Sequence, residues 1–267
     1  MAELLNERIV RNARELKLFG LAESADELVD RAEQGDLGYR QFLDLVLEDE
    51  VGVVEGRRYA SRLKLSALPH HKTLDEFDAS FQPELDPKRL AELKSLRFME
   101  AKVSTLILGP PGVGKTHIAV GLAMEALRKG YVVRYTTLDE MVRELRKADQ
   151  LGKLREKLSY YQRPQLLLCD EVGYLPLERE DANRFFQLVN RRYGRNSMII
   201  TSNKRVSEWA ELFGEEVMAA AILDRLLHDA EVLTINGPSY RLRGRLEAFA
   251  QEGVGEEGGE AEAEAKA

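Results

Sequence analysis

Residues 109–116 read GPPGVGKT, a glycine-rich run closing on lysine and threonine at the spacing G-x-x-x-x-G-K-[ST]. Glycines let successive backbone N–H groups turn inward around phosphate oxygens, and a helix beginning at the lysine adds its positive end. Lys115 would reach the β- and γ-phosphates, and the Thr116 hydroxyl would help to hold Mg2+. The expected nucleotide contacts are Gly109, Pro110, Pro111, Gly112, Val113, Gly114, Lys115, Thr116 and His117, with ATP and Mg2+ as the ligands. A second group of polar residues closes LLLCDE at 166–171. An acid at the end of a buried strand lands beside such a loop, so Asp170 joins Thr116 as an expected metal ligand. Glu171, one step further, is placed to orient a water and take its proton; the alternative is a capping or surface acid. The run IITSN at 199–203 ends in Asn203, which could hydrogen-bond the same water or the γ-phosphate, or else form a turn. In AAAILDRLLHD (219–229) a single arginine, Arg225, is embedded in an apolar helix. Its planar fork could spread charge in a transition state, or pair with Asp224 or Asp229.

These groups need elements to position them. From residue 103 short apolar runs alternate with amphipathic stretches: strands are expected at 103–109, 131–137, 164–171, 196–203 and 230–236. Helices are expected near 115–129, 138–159, 179–193 and 206–229, the last broken near Gly214. Near-continuous apolar strands separated by helices indicate an α/β fold, a parallel sheet covered on both faces. Residues 1–65 read as a small helical domain, with Leu5, Ile9, Ala13 and Leu16 at helical spacing and a turn at the glycines 35 and 38. The polar, proline-bearing stretch 66–90 reads as a linker, 91–250 as the nucleotide-binding domain, and 251–267 as a disordered acidic tail.

Charge is segregated. The net charge of -7 hides a tail with six glutamates against one lysine and a first fifty residues with thirteen acids against six bases. Residues 56–72 and 182–207 hold five and six Lys/Arg and no acid, so local basic stretches could meet phosphate in an acidic protein. No apolar run reaches membrane-spanning length, and the single Cys169 excludes an intramolecular disulfide framework; a cytoplasmic protein is expected.

The order phosphate loop, DE-terminated strand, polar-tipped strand, Arg-bearing helix resembles the AAA+ ATPases. More narrowly, GYLPLERED, FFQLVNRRYG, TSNKRVSEWAELFG, AAAILDRLLH and SYRLR resemble the IstB family, ATP-dependent helpers encoded beside insertion-sequence transposases. The resemblance spans residues 5–245. It implies an AAA+ core with a five-stranded parallel sheet, without a full C-terminal lid. It also implies ATP hydrolysis, Asn203 as first sensor, and Arg225 as a finger acting on the next subunit's ATP. A finger in trans requires a head-to-tail interface, hence a ring or a helical filament. The second sensor is unassigned, Arg241 in SYRLR being the candidate. The implied partners are duplex DNA, gripped without sequence preference, and a transposase that receives it. The alternative is a DnaC-like loader of a replicative helicase. A small-molecule kinase would need an acceptor pocket and a basic lid, and neither is apparent. The DNA contacts are expected in 138–158, where related ATPases carry an extra helical insertion: Arg143, Arg146, Lys147 and Lys153, unless these pair with Glu140, Glu144 or Glu156.

Overall fold

The computed structural model describes residues 2–174, 176–214 and 216–243. The expected acidic tail lies outside the described residues. The chain divides into two compact units, 1–64 and 65–267.

The first unit is three helices: α1 (Ala2–Glu15), α2 (Phe19–Gln34) and α3 (Tyr39–Ser66), the last reaching into the second unit by two residues. Its buried apolar side chains are few, Ala13, Ala25 and Leu28. Polar contacts supplement them. Glu50 accepts the Leu21 N–H at 2.9 Å, Asp49 accepts the Ser24 hydroxyl at 3.0 Å, and the Arg57 guanidinium lies 4.4 Å from the Phe19 ring centre.

The second unit opens with α4 (Pro87–Lys94), which starts at a proline behind the Asp86 cap, and the short α5 (Arg97–Glu100). There follow β1 (Thr105–Leu108), α6 (Lys115–Arg128), β2 (Val133–Thr137), α7 (Leu138–Gln150), α8 (Leu154–Gln162), β3 (Leu166–Val172), α9 (Arg179–Arg192) and β4 (Ser197–Ser202). The series closes with α10 (Trp209–Phe213), α11 (Glu216–Leu227) and β5 (Glu231–Thr234). All five strands pair in parallel, in the order β2-β3-β4-β1-β5. Leu106, Ile107, Leu166, Leu167, Leu168, Ile199 and Ile200 are fully buried, as continuous apolar strands under helices on both faces must be.

The expected helix 138–159 is two helices. Gly152, at φ +68°, ends the first with a left-handed turn that side-chain-bearing residues adopt only at a cost. The break near Gly214 (φ +69°) separates α10 from α11 as expected. The stretch 66–90 is irregular between the end of α3 and the start of α4, with a 3-10 turn at Ala79–Phe81, yet Leu74, Phe77 and Leu85 within it are buried. It lies along α6: a Cβ added at Gly121 would stand 2.7 Å from the Leu74 side chain.

Candidate nucleotide site

The carboxyl ends of β1, β3 and β4 converge, and in an open parallel sheet the crevice beyond those ends is where ligands bind. The loop after β1 carries GPPGVGKT; Gly114, at φ +97°, turns the chain into α6, whose first residue is Lys115. A side chain at Gly114 would also meet the Phe77 ring at 2.6 Å, so glycine answers both backbone and space. The Lys115 ammonium donates to the Pro110 carbonyl at 2.8 Å. Burial lowers its pKa, and the nearby Asp170 carboxylate opposes that shift.

Asp170 is buried and accepts from the hydroxyls of Thr116 (3.1 Å to each oxygen), Tyr135 (3.1 Å) and Thr201. The register of β3 on β4 slips between Cys169 and Val172, so that two residues on β3 oppose Thr201. This bulge re-aims the chain. Glu171 takes a left-handed φ of +62°, its N–H donates to Thr201 Oγ1 at 3.0 Å, and its side chain is exposed. A non-glycine residue held there is strained, and such strain collects at functional sites. Asp170 therefore points inward and Glu171 toward the crevice, although they are sequence neighbours.

Asn203 follows β4, and its Oδ1 is buried without a partner. Asn203 lines one cavity of about 550 Å3 together with Lys115, Thr116, Asp170, Glu171 and Arg241. That volume suits a nucleotide. The residues present fit Mg2+ as well. A hydroxyl and a carboxylate in contact would hold the ion, with phosphate oxygens and water completing its shell. An orphaned buried acceptor at Asn203 fits a donor supplied by a bound water. His117 lines the same cavity, bonds the Thr73 carbonyl through Nε2 at 2.9 Å and meets the Phe77 ring edge-on at 5.4 Å. It fastens the 69–78 segment to α6.

Residue types alone did not point to Thr201, Tyr135 or Phe77. Thr201 sits in the IITSN run and braces both acids; its signal was a hydroxyl one step short of the strand tip. Tyr135 is half-buried on β2, next to the buried Thr136, and its residue type alone does not mark it for a site. Its phenol is pushed up by burial and by Asp170 and stays a donor. Phe77 had no signal at all, because its role depends on a fold-back of about forty residues. Arg241 does line the same cavity as Lys115.

Arg225 is not among the residues that line this cavity. It sits on α11, where Nε donates to Asn190 Oδ1 at 2.9 Å, Nη1 donates to the Ala221 carbonyl at 3.1 Å, and the guanidinium lies 5.0 Å from the Phe186 ring centre. Asp224 is 3.9 Å away, and Nη2 has no hydrogen-bond partner among the described residues. The group is held in place without being used up.

The basic segment is divided. Arg146 reaches the buried Asp181, with Glu178 at 3.5 Å, which ties α7 to α9. Arg143 is exposed and pairs loosely with Asp139 at 3.7 Å. Lys147 and Lys153 make no ion pair among the described residues. With Arg143, Lys157 and the exposed Leu151 they line a groove of about 620 Å3 between α7 and α8.

A sequence profile of the IstB-like ATP binding protein family matches residues 11–248. The chain belongs to that family. It is 44% identical to the insertion sequence IS21 ATP-binding protein of Pseudomonas aeruginosa, over 87% of this chain and 88% of that one. It is 42% identical to the IS5376 ATP-binding protein of Geobacillus stearothermophilus, over 90% of this chain and 95% of that one. Among solved structures it resembles DnaI (TM-score 0.52, 23% identity, 63% of this chain and 89% of that one). It also resembles the replication initiator DnaA bound to AMPPCP and single-stranded DNA (TM-score 0.52, 23% identity, 63% of this chain), spanning 51% of that chain's length. The fold is that of the AAA+ proteins, and the family is an ATP-binding one associated with insertion sequences. No helix among the described residues is long and apolar enough to cross a membrane.

Proposed function

We propose that this IstB-like chain is an ATP hydrolase that assembles head to tail on duplex DNA, deforms it and hands it to a transposase. The observation that carries the reading is the split between neighbours at the β3 bulge. Asp170 turns in to Thr116 and Glu171 turns out to the crevice. In the reaction, Glu171 takes a proton from water as the water oxygen bonds to the γ-phosphorus and the bond to the β-phosphate oxygen breaks. Asn203 Oδ1 orients that water, and Lys115 leaves the Pro110 carbonyl to bind the departing oxygens. Thr116 and Asp170 would hold Mg2+, which would supply charge neutralisation for the phosphates. Arg225, which does not line its own protomer's cavity and is only partly satisfied, is suited to complete a neighbour's. Each protomer adds phosphate contacts from Lys147, Lys153 and Arg143, so assembly multiplies a weak, salt-sensitive grip along the duplex. Bending a short site costs about 1–6 kcal/mol, within reach of several protomers.

The test uses the full chain on long duplex DNA with ATP and Mg2+, imaged by negative stain and followed by phosphate release. Glu171→Gln is expected to give persistent ATP-locked particles, and Arg225→Ala to give neither particles nor turnover. Particles of Glu171→Gln that disperse as fast as wild type would overturn the reading. Wild-type binding to single-stranded but not duplex DNA would favour a helicase-loading role.

A further inference from the structure

After β5 the chain turns back over the phosphate loop and touches it at two glycines. The Ile235 carbonyl oxygen lies 2.1 Å from where a Cβ on Gly109 would stand, and Ser239 Oγ lies 2.0 Å from where one on Gly112 would stand. Neither place has room for a side chain, and Gly112, at φ +84°, also has a backbone that favours glycine. Tyr240, next along, donates its N–H to the Gly112 carbonyl at 2.9 Å. The peptide from Gly112 to Val113 is trans, so that carbonyl and the Val113 N–H point to opposite sides of one rigid plane. Fixing the carbonyl on Tyr240 therefore aims the Val113 N–H the other way. That N–H has no hydrogen-bond partner among the described residues and is left for an anion.

Tyr240 is itself anchored from the far side. Its hydroxyl donates to the Asp78 carbonyl, 162 residues away in the chain. Its ring packs on Phe81 and Phe77, with centroids 4.7 and 5.7 Å apart, and Arg243 donates to the Asp78 carboxylate at 3.0 Å. Burial, with Asp78 adding to it, raises the phenol's pKa, so it stays a donor at neutral pH. We propose that Tyr240 is a positioning residue for nucleotide: with Ser239 it latches the phosphate loop into its anion-gripping shape before ATP arrives. A loop with three glycines in eight residues is costly to order, and ordering it in advance leaves more of the phosphate contacts to appear as affinity. The latch rests on nucleotide binding at this loop and not on what an assembly does with DNA.

The experiment titrates the full chain with ADP and Mg2+ by calorimetry and follows hydrogen exchange of residues 109–116 without nucleotide. Tyr240→Phe keeps the ring and loses the bond to Asp78; it is expected to bind ADP about threefold more weakly, and Tyr240→Ala about tenfold. Tyr240→Pro also removes the N–H, at the first residue of a helical turn, where proline is tolerated. It is expected to bind about 100-fold more weakly. In the Ala and Pro variants the loop amides should exchange about tenfold faster while β3 and β4 keep their protection, a local effect that general destabilisation would not give. Unchanged affinity in Tyr240→Phe overturns the latch, because a ring that only packs against ligand survives that change. A Tyr240→Pro variant no weaker than Tyr240→Ala overturns it too, as does faster exchange across the whole sheet. A wild type that binds no ADP overturns the reading of the nucleotide site itself, and the latch with it.

Discussion

The two units of this chain solve the same problem by opposite means. Residues 65–243 wrap a sheet in helices, and the site's polar groups are braced by a core of fully buried strands. Residues 2–64 bury little beyond Ala13, Ala25 and Leu28 and leave whole apolar rows outside. A deep core can hold strained features, such as Glu171 at positive φ, because the surrounding packing over-determines them. A shallow one cannot hold a site, but it presents a surface. The contrast teaches where to look for chemistry and where to look for partners.

Substitutions in the deep unit put that contrast to the test. The largest effect belongs to Arg225→Ala, expected to cut turnover about 10³–10⁵-fold while ATP binding, measured by fluorescent-nucleotide titration, stays intact. Mixing it with Lys115→Ala should recover part of the turnover if the arginine serves a neighbour. Removing the orphaned acceptor with Asn203→Ala should cost about 10²–10³ in rate, with little change in nucleotide affinity. In the deep unit, Phe77→Ala opens the wall against Gly114 and His117 and should cost about 3–5 kcal/mol in denaturant unfolding, a loss that saturating nucleotide partly offsets. The smallest effects separate the cations of the basic segment. Lys147→Ala and Lys153→Ala should each lower the slope of DNA affinity against salt by about 0.9, with stability unchanged. Arg146→Ala should instead lower stability in denaturant unfolding, leaving Asp181 to Arg184 alone, and leave the salt slope as it was. Equal behaviour of Arg146 and Lys147 would erase the distinction between a strut and a contact.

Arg146 and Lys147 also show the limit of sequence reading. Both are basic, adjacent and on a helix, and nothing local separates them. Only the fold brings Asp181, thirty-five residues away, under one of them. His117 is a similar case: it lines the cavity beside Thr116, and its bond to Thr73, which no local pattern announces, also makes it a fastener.

Features that depend on short-range chemistry could be read directly from the chain. The glycine spacing of the phosphate loop, the apolar runs of the strands and the acids at the end of LLLCDE are each complete within a few residues. Backbone freedom and burial act locally there. Tertiary structure decided which way each acid faces, that 69–78 walls the nucleotide crevice, and which cations remain unpaired. Those outcomes depend on register between strands and on partners distant in the chain, and no local pattern carries that information.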